Sequence, residues 1–264
     1  MKKTTVPVLA AVLAVFALGA APAPSAPERQ LLSEVSTLRD SEAAPLASEL
    51  EGSLRAWEAL HDYTAVFHKQ ELTKEKDALG PNEEIFLKFE KPFKIYLGWL
   101  NTPKKGLQVL YERGRHQGKL AIHKPGLLLG LAPVIFLEQS SPYVREGSAS
   151  YDIEDAGIGT FLMDFTKAVL RSAREKKLRF SRIGGSGYDV TFSGTSRDDD
   201  YFAHRVRVLF DPPTRLPVRM ELFDWEDRPM GVYLYDRLKV DVGSQDPEFK
   251  KNIDRHLFRV YRGD

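Results

Sequence analysis

The sequence predicts an α+β protein in which helices pack into the concave side of a long, curved antiparallel sheet. Three observations predict it. Leu46, Leu50, Leu54, Trp57 and Leu60 recur at three- and four-residue steps and line one helix face, leaving Glu49, Glu51 and Arg55 outside. After His61-Asp62 the apolar period shortens from about 3.6 to about 2, the spacing of half-buried strands. Two series of such strands then follow without helices inside either series, as in antiparallel meanders, and one apolar insert with a helix divides them.

The first series is Tyr63–Leu72, Glu83–Glu90, Lys94–Leu100, Leu107–Tyr111 and Lys119–His123, with turn chemistry at Gly80-Pro81, Lys91-Pro92, Pro103, Gly114 and Pro125-Gly126. The second is Leu178–Ile183, Tyr188–Ser193, Phe202–Asp211, Pro217–Phe223 and Met230–Val240. Between them, Leu127 to Leu137 is apolar apart from Gly130 and Pro133, and Thr160–Arg174 carries a broad helical face of Phe161, Leu162, Phe165, Val169 and Leu170. This insert and helix are expected to form a movable cover over the sheet. The polar stretch 21–45 is expected to be a linker with a short helix near Pro27 to Leu38, ahead of one domain over 46–264.

The N-terminus carries its own signal. Lys2 and Lys3 precede an apolar run from Val6 to Ala20, followed by small residues and by Pro22, Pro24 and Pro27, the pattern of a secretory signal peptide over 1–20. The run is shorter than the ~20 residues a membrane-spanning helix needs. Cleavage near Ala20 would leave a nearly neutral mature chain, free of cysteine, in a bacterial periplasm.

Composition narrows the functional classes. With 38 Lys+Arg against 37 Asp+Glu there is no global excess of positive charge for nucleic acid, and the absence of cysteine removes disulfides, thiolate metal sites and cysteine nucleophiles. Gly184-Gly185-Ser186-Gly187 lacks the last glycine of a nucleophile elbow, so a hairpin turn is expected there. Asp198-Asp199-Asp200 lacks the alternation of a calcium loop and is expected at a solvated hairpin tip. The six histidines show no metal-ligand spacing. No catalytic residue, metal or cofactor is expected.

What stands out is the set of large apolar side chains on alternating strand positions. Phe67 shares a face with Tyr63 and Ala65, Phe89 with Leu87, Leu97 with Trp99, Tyr111 with Val109, Val206 with Val208, and Tyr233 with Tyr235. Alternation alone is compatible with a filled core or with an aromatic-lined gap for a small molecule or lipid.

These residues resemble a known family. Tyr63-Thr64-Ala65-Val66-Phe67-His68-Lys69-Gln70, Phe89-Glu90-Lys91-Pro92-Phe93-Lys94-Ile95-Tyr96-Leu97-Gly98-Trp99 and Val109-Leu110-Tyr111 are similar to the opening half of the outer-membrane lipoprotein carrier and sorting (LolA-like) superfamily. Met220 to Asp224, Tyr233 to Val240 and Pro247-Glu248-Phe249 are similar to its closing half. The Lys-Pro-Phe strand start and Gly157-Ile158-Gly159 narrow the resemblance to the domain of unknown function 1571 family. It departs in having Lys91 where carriers typically have Arg, and Glu112-Arg113-Gly114 for an Asp-Gly turn.

The resemblance implies an unclosed β-barrel whose hollow, covered by helices, takes lipid or the acyl chains of a lipoprotein, in a non-enzymatic carrier. Its expected lining is Phe67, Phe89, Leu97, Trp99 and Tyr111 from the first series, Phe136, Phe161 and Phe165 from the insert and helix, and Tyr233 and Tyr235 from the last strand, with Lys91 at the family's basic position. Expected partners are the acylated cargo and a transient inner- or outer-membrane protein, with no nucleic acid, for a monomer. The alternative is an envelope sensor on the same fold that recognises a protein.

Overall fold

The computed structural model describes residues 26–73, 78–123, 134–141, 153–192 and 201–243. Their strands form one 12-stranded antiparallel sheet in the order β7-β6-β5-β4-β3-β1-β12-β11-β10-β9-β8, with β2 paired to β1 off this path. The first strand, β1 (Asp62–Thr73), lies between β3 (Glu83–Glu90) and the last strand, β12 (Pro229–Val240), and so joins the two series. On one side follow β4 (Lys94–Trp99), β5 (Gln108–Glu112), β6 (Leu120–His123) and β7 (Val134–Leu137). On the other side follow β11 (Pro217–Phe223), β10 (Arg205–Phe210), β9 (Gly187–Thr191) and β8 (Arg179–Ile183). The short β2 is Ala78–Leu79. The order leaves β7 and β8 as separate edges, so the barrel is unclosed. Register shifts between Thr64 and Val66, between Leu209 and Phe210, and between Leu222 and Phe223 bend the sheet, as bulges do.

Among the described residues, three helices occupy the concave side: α1 (Ala26–Ser36), α2 (Ala44–Ala59) and α3 (Ile158–Arg174). Pro45 sits in the first turn of α2, where its missing N–H has no intrahelical role. Buried Leu46, Leu50, Leu54 and Trp57 realise the predicted stripe. The segment expected as a linker holds α1, whose Leu31 and Val35 are buried in the same core as α2 and the sheet. A second, small apolar cluster of Tyr96, Leu110 and Ala121 lies on the opposite face of the sheet.

Two expectations for the insert change. Val134–Leu137 is a strand paired with β6, from Leu120 opposite Leu137 to His123 opposite Val134, so this half of the insert extends the sheet and does not cover it. Phe136 accordingly leaves the hollow: it is 48% exposed and stands against the His116 ring at 4.8 Å. Residues 127–133, the expected signal peptide over 1–20, Asp198 to Asp200, Pro247 to Phe249 and His256 lie outside the described residues. No helix among the described residues is long and apolar enough to cross a membrane. Ser186 is a hairpin residue, its hydroxyl donating to the Phe210 carbonyl, with Gly184 at φ +60° making the turn.

Candidate functional site: the concave aromatic face

Alternation along the central strands sends one set of side chains under the helices. In the rows that cross the sheet, Tyr63 stands opposite Phe89, Ala65 opposite Leu87, and Phe67 between Ile85 and Tyr235. Leu97 and Trp99 continue these rows opposite Leu87 and Ile85. Five of the expected lining residues fall on one ladder of rings. Tyr111 meets Phe93 (5.9 Å), Phe93 meets Phe89 (5.4 Å), and Phe89 meets Tyr63 (5.2 Å). Tyr63 then meets Tyr235 (6.3 Å), Tyr235 meets Phe67 (4.8 Å), and Phe67 stacks on Tyr233 (6.1 Å). Edge and offset geometries like these each add about 0.5–1.5 kcal/mol beyond area burial.

Phe161 and Phe165 belong to a different group. On α3 they stack at 5.5 Å, and Phe165 meets Phe192 edge-on at 5.7 Å while Phe161 faces Phe202. Phe165 has no exposure, whereas Phe161 is half-buried. The hollow is occupied by the protein's own side chains, with Tyr63, Leu87, Ile95, Phe165 and Val169 fully buried. Leu97 is buried in the interior row with Leu87 and Ala65, whereas Trp99 and Tyr233 lie toward one end of the concave face and are only half-buried. A cavity of about 310 Å³ lies on the opposite face of the sheet, lined by Ile183, Arg207, Leu209, Arg219 and Glu221. Its arginines are engaged, Arg207 with Asp189 at 2.8 Å and Arg219 with Glu221 at 2.8 Å.

Buried hydroxyls hold the helix layer to the ladder. Gly157 takes φ +121°, a conformation side chains resist, to start α3, and the Ile158 N–H donates to the Tyr63 hydroxyl at 3.2 Å. Burial pushes the Tyr63 and Tyr235 hydroxyls well above the ordinary tyrosine range, so both stay neutral. Just before α3, Glu154 accepts from the Tyr111 hydroxyl and from Arg113 at 2.8 Å. Arg113 holds the Glu154 carboxyl below the usual carboxylate range. Burial first, and then Glu154, pushes Tyr111 up to about 12.

Lys91 has a structural post. Its ammonium donates to the Trp57 carbonyl and, at 3.2 Å, to the Glu58 carbonyl, and it lies 4.6 Å over the Trp57 ring. It thus closes the C-terminus of α2, where unpaired carbonyls concentrate negative charge. Burial lowers its pKa, so part of the gain is offset by desolvation. The carbonyls left behind decide the sign on removal: Lys91→Met is expected to lower stability by about 1–2 kcal/mol in urea unfolding. Lys91→Arg, which can refill the post, should recover at least half. An unchanged midpoint for Lys91→Met would mean that water serves the carbonyls equally well.

Trp57, Tyr63 and Phe93 stand outside the expected lining, although their rings connect the ladder. For Tyr63 and Phe93 the signal was their place beside the chosen residues in the same strand and strand start. Trp57 carried only the signal of an ordinary helical stripe, to which it also belongs.

Residues 60–258 match the family described as "Protein of unknown function (DUF1571)", and the chain belongs to that family. No curated protein matches it. Among solved structures it is similar to an uncharacterized conserved protein from Thermus thermophilus, at 8% identity and TM-score 0.41, over 80% of this chain and 93% of that one. It is similar to a LolA superfamily protein from Nitrosomonas europaea at 12% identity and TM-score 0.36, over 80% and 98%. It is also similar to the Pseudomonas aeruginosa MucA/MucB complex at 13% identity and TM-score 0.40, over 76% of this chain and 59% of that one.

Proposed function

We propose that this chain is a periplasmic, non-enzymatic carrier that receives a lipid, or the acyl chains of a lipoprotein, on the concave aromatic face. The observation that carries the reading is the continuous ring ladder across an unclosed sheet, ending at half-buried Tyr233, with half-buried Trp99 in the neighbouring row of Phe67 and Ile85. The ladder is filled in the closed protein, so ligand must displace protein. Re-exposing one large buried aromatic costs about 1.5–3 kcal/mol, whereas burying ten methylenes returns about 8 kcal/mol at ~0.8 each. An acyl chain can therefore open a face that water leaves shut. Cargo would be handed over to a membrane protein partner, with the carrier acting as a monomer.

Gently purified mature protein should release acyl lipid into an organic extract, read by mass spectrometry, and should bind a fluorescent fatty-acid probe at one site. Trp99→Ala and Phe67→Ala together should weaken that probe by at least tenfold, since each truncation removes contact worth on the order of 1–3 kcal/mol. Unchanged probe affinity in a folded double variant would place the site elsewhere. A stoichiometric membrane-protein partner retained without any lipid would replace the carrier reading by the sensor reading.

A further inference from the structure

The concave face changes character at one level on each central strand. Along β1 the inward positions run Tyr63, Ala65, Phe67 and then Lys69 and Glu71; along β3 they run Phe89, Leu87, Ile85 and then Glu83. Lys69 stands between Glu83 and Tyr233, in the row next to the one that holds Tyr235, Phe67, Ile85 and Trp99. A polar row therefore abuts an aromatic one, both facing the same side of the sheet.

Among the described residues, the polar row pairs ammonium groups with carboxylates at short range. The Lys69 ammonium lies 3.2 Å from Glu71 and 3.8 Å from Glu83. Lys104, at the tip of the β4–β5 hairpin, lies 2.5 Å from Glu83 and 5.7 Å above the Trp99 ring. Trp99 donates its indole N–H to Glu83 at 3.0 Å, and the Tyr233 hydroxyl donates to Glu71 at 3.2 Å. A side chain at Gly231 would meet the Tyr233 hydroxyl at 2.7 Å and its ring at 2.8 Å, so glycine there leaves the side chain its place beside Glu71. The side chains of Lys69, Glu71 and Glu83 are only 14%, 15% and 17% exposed, low for charged groups at the end of a sheet face.

We propose that this row is a headgroup subsite for a zwitterionic lipid, of the phosphoethanolamine class, whose acyl chain lies along the ring ladder. The proposal rests on the carrier reading and names the ligand class for it. Two ammonium groups share the carboxylate of Glu83, so an incoming phosphate takes up donors already gathered at one point. The ligand's own ammonium takes Glu71, beside the Tyr233 ring. Among the described residues the row holds two positive and two negative side chains, so a ligand carrying both charges exchanges each ion pair for another. A purely anionic headgroup would leave one half-buried charge unbalanced, which such a site penalises.

The test uses the purified protein and three probes with the same fluorescent acyl tail: a phosphatidylethanolamine, a phosphatidylglycerol and an uncharged fatty alcohol. The zwitterion should bind about tenfold more tightly than either of the others, the size of one charge-assisted hydrogen bond. Lys69→Gln with Glu83→Gln, which keeps the row neutral, should erase that preference and leave the alcohol's affinity as it was. Should this pair fail to fold, Lys104→Gln on the exposed hairpin tip should cut the preference by about threefold. Equal binding of all three probes by the unaltered protein overturns the headgroup subsite and leaves the carrier intact. Tighter binding of the anionic lipid overturns the charge argument. Binding of none of them overturns the carrier reading itself. Tail-less glycerophosphoethanolamine should compete only weakly; if it matches the lipid, the ligand is a small zwitterion and the lipid assignment falls.

Discussion

Phe165→Ala should lower unfolding free energy by about 3–5 kcal/mol, whereas Phe161→Ala, one turn earlier on the same helix, should cost about 1–2 kcal/mol. The difference follows from burial. Phe165 has no exposure and inserts between Phe161 and Phe192, so truncation leaves a void that neighbours refill only in part. Phe161 is half-buried and loses mainly contact with Phe202. Urea unfolding with an unchanged slope would report the two costs directly. The same pair separates a pinned helix from a movable one. If α3 swings away when lipid enters, Phe165 must leave its socket, and Phe165→Ala should tighten probe binding even as it destabilises the empty protein. If α3 stays in place and lipid enters beside Trp99 and Tyr233, probe affinity will not follow the loss of stability. A loss of less than about 1 kcal/mol for Phe165→Ala would mean that the helix does not depend on its deepest side chain.

How far the sequence carried can be seen in particular elements. The stripe of α2 and the alternation of β1, β3, β4 and β12 were legible because each is a local period, and a local period states which face is apolar. That β1 pairs with β12, and so joins two series into one sheet, was not legible, because such pairing is set by partners far apart in the chain, such as Phe67 and Tyr235, with only loose apolar matching. Val134–Leu137 reads as cover because a short apolar run looks alike in a lid and in an edge strand, and the pairing with β6 decides between them. Lys91 gave no periodic signal, since its partners are carbonyls at the end of a helix earlier in the chain. Of the expected lining, Phe67, Phe89, Tyr111, Tyr233 and Tyr235 share one ladder, Phe161 and Phe165 share another cluster, and Phe136 lies outside both. The polar row was visible as a continuation of the β1 alternation into Lys69 and Glu71, but charge at the end of a strand ordinarily signals only that the core has ended.

Gly159→Ala is expected to destabilise the protein by about 1–3 kcal/mol, and Gly159→Val by more, although neither residue is polar and alanine is the better helix former. A Cβ at 159 would lie 2.1 Å from the Trp57 ring, closer than any contact can bear, so the ring or the helix must move. The ring has little freedom. Its N–H donates to Glu28 at 3.0 Å, Lys91 lies over one face at 4.6 Å, and Phe89 meets it at 5.5 Å. Displacing Trp57 therefore disturbs α1, the cap of α2 and the ring ladder together. The helix propensity of alanine returns no more than about 1 kcal/mol and cannot offset this. The decisive measurement is a double-substitution cycle with Trp57→Leu, a side chain that vacates the space. Coupling of at least about 1 kcal/mol, with the double variant more stable than the sum of the two losses, would establish that the close approach of α3 to Trp57 sets the helix layer on the sheet. Additive losses would mean that α3 already stands far enough from α2 to accept a methyl group. Because the same contact clamps the cover to the aromatic face, hydrogen exchange in Gly159→Ala should quicken in α1, α2 and α3 together while β1 and β12 keep their protection.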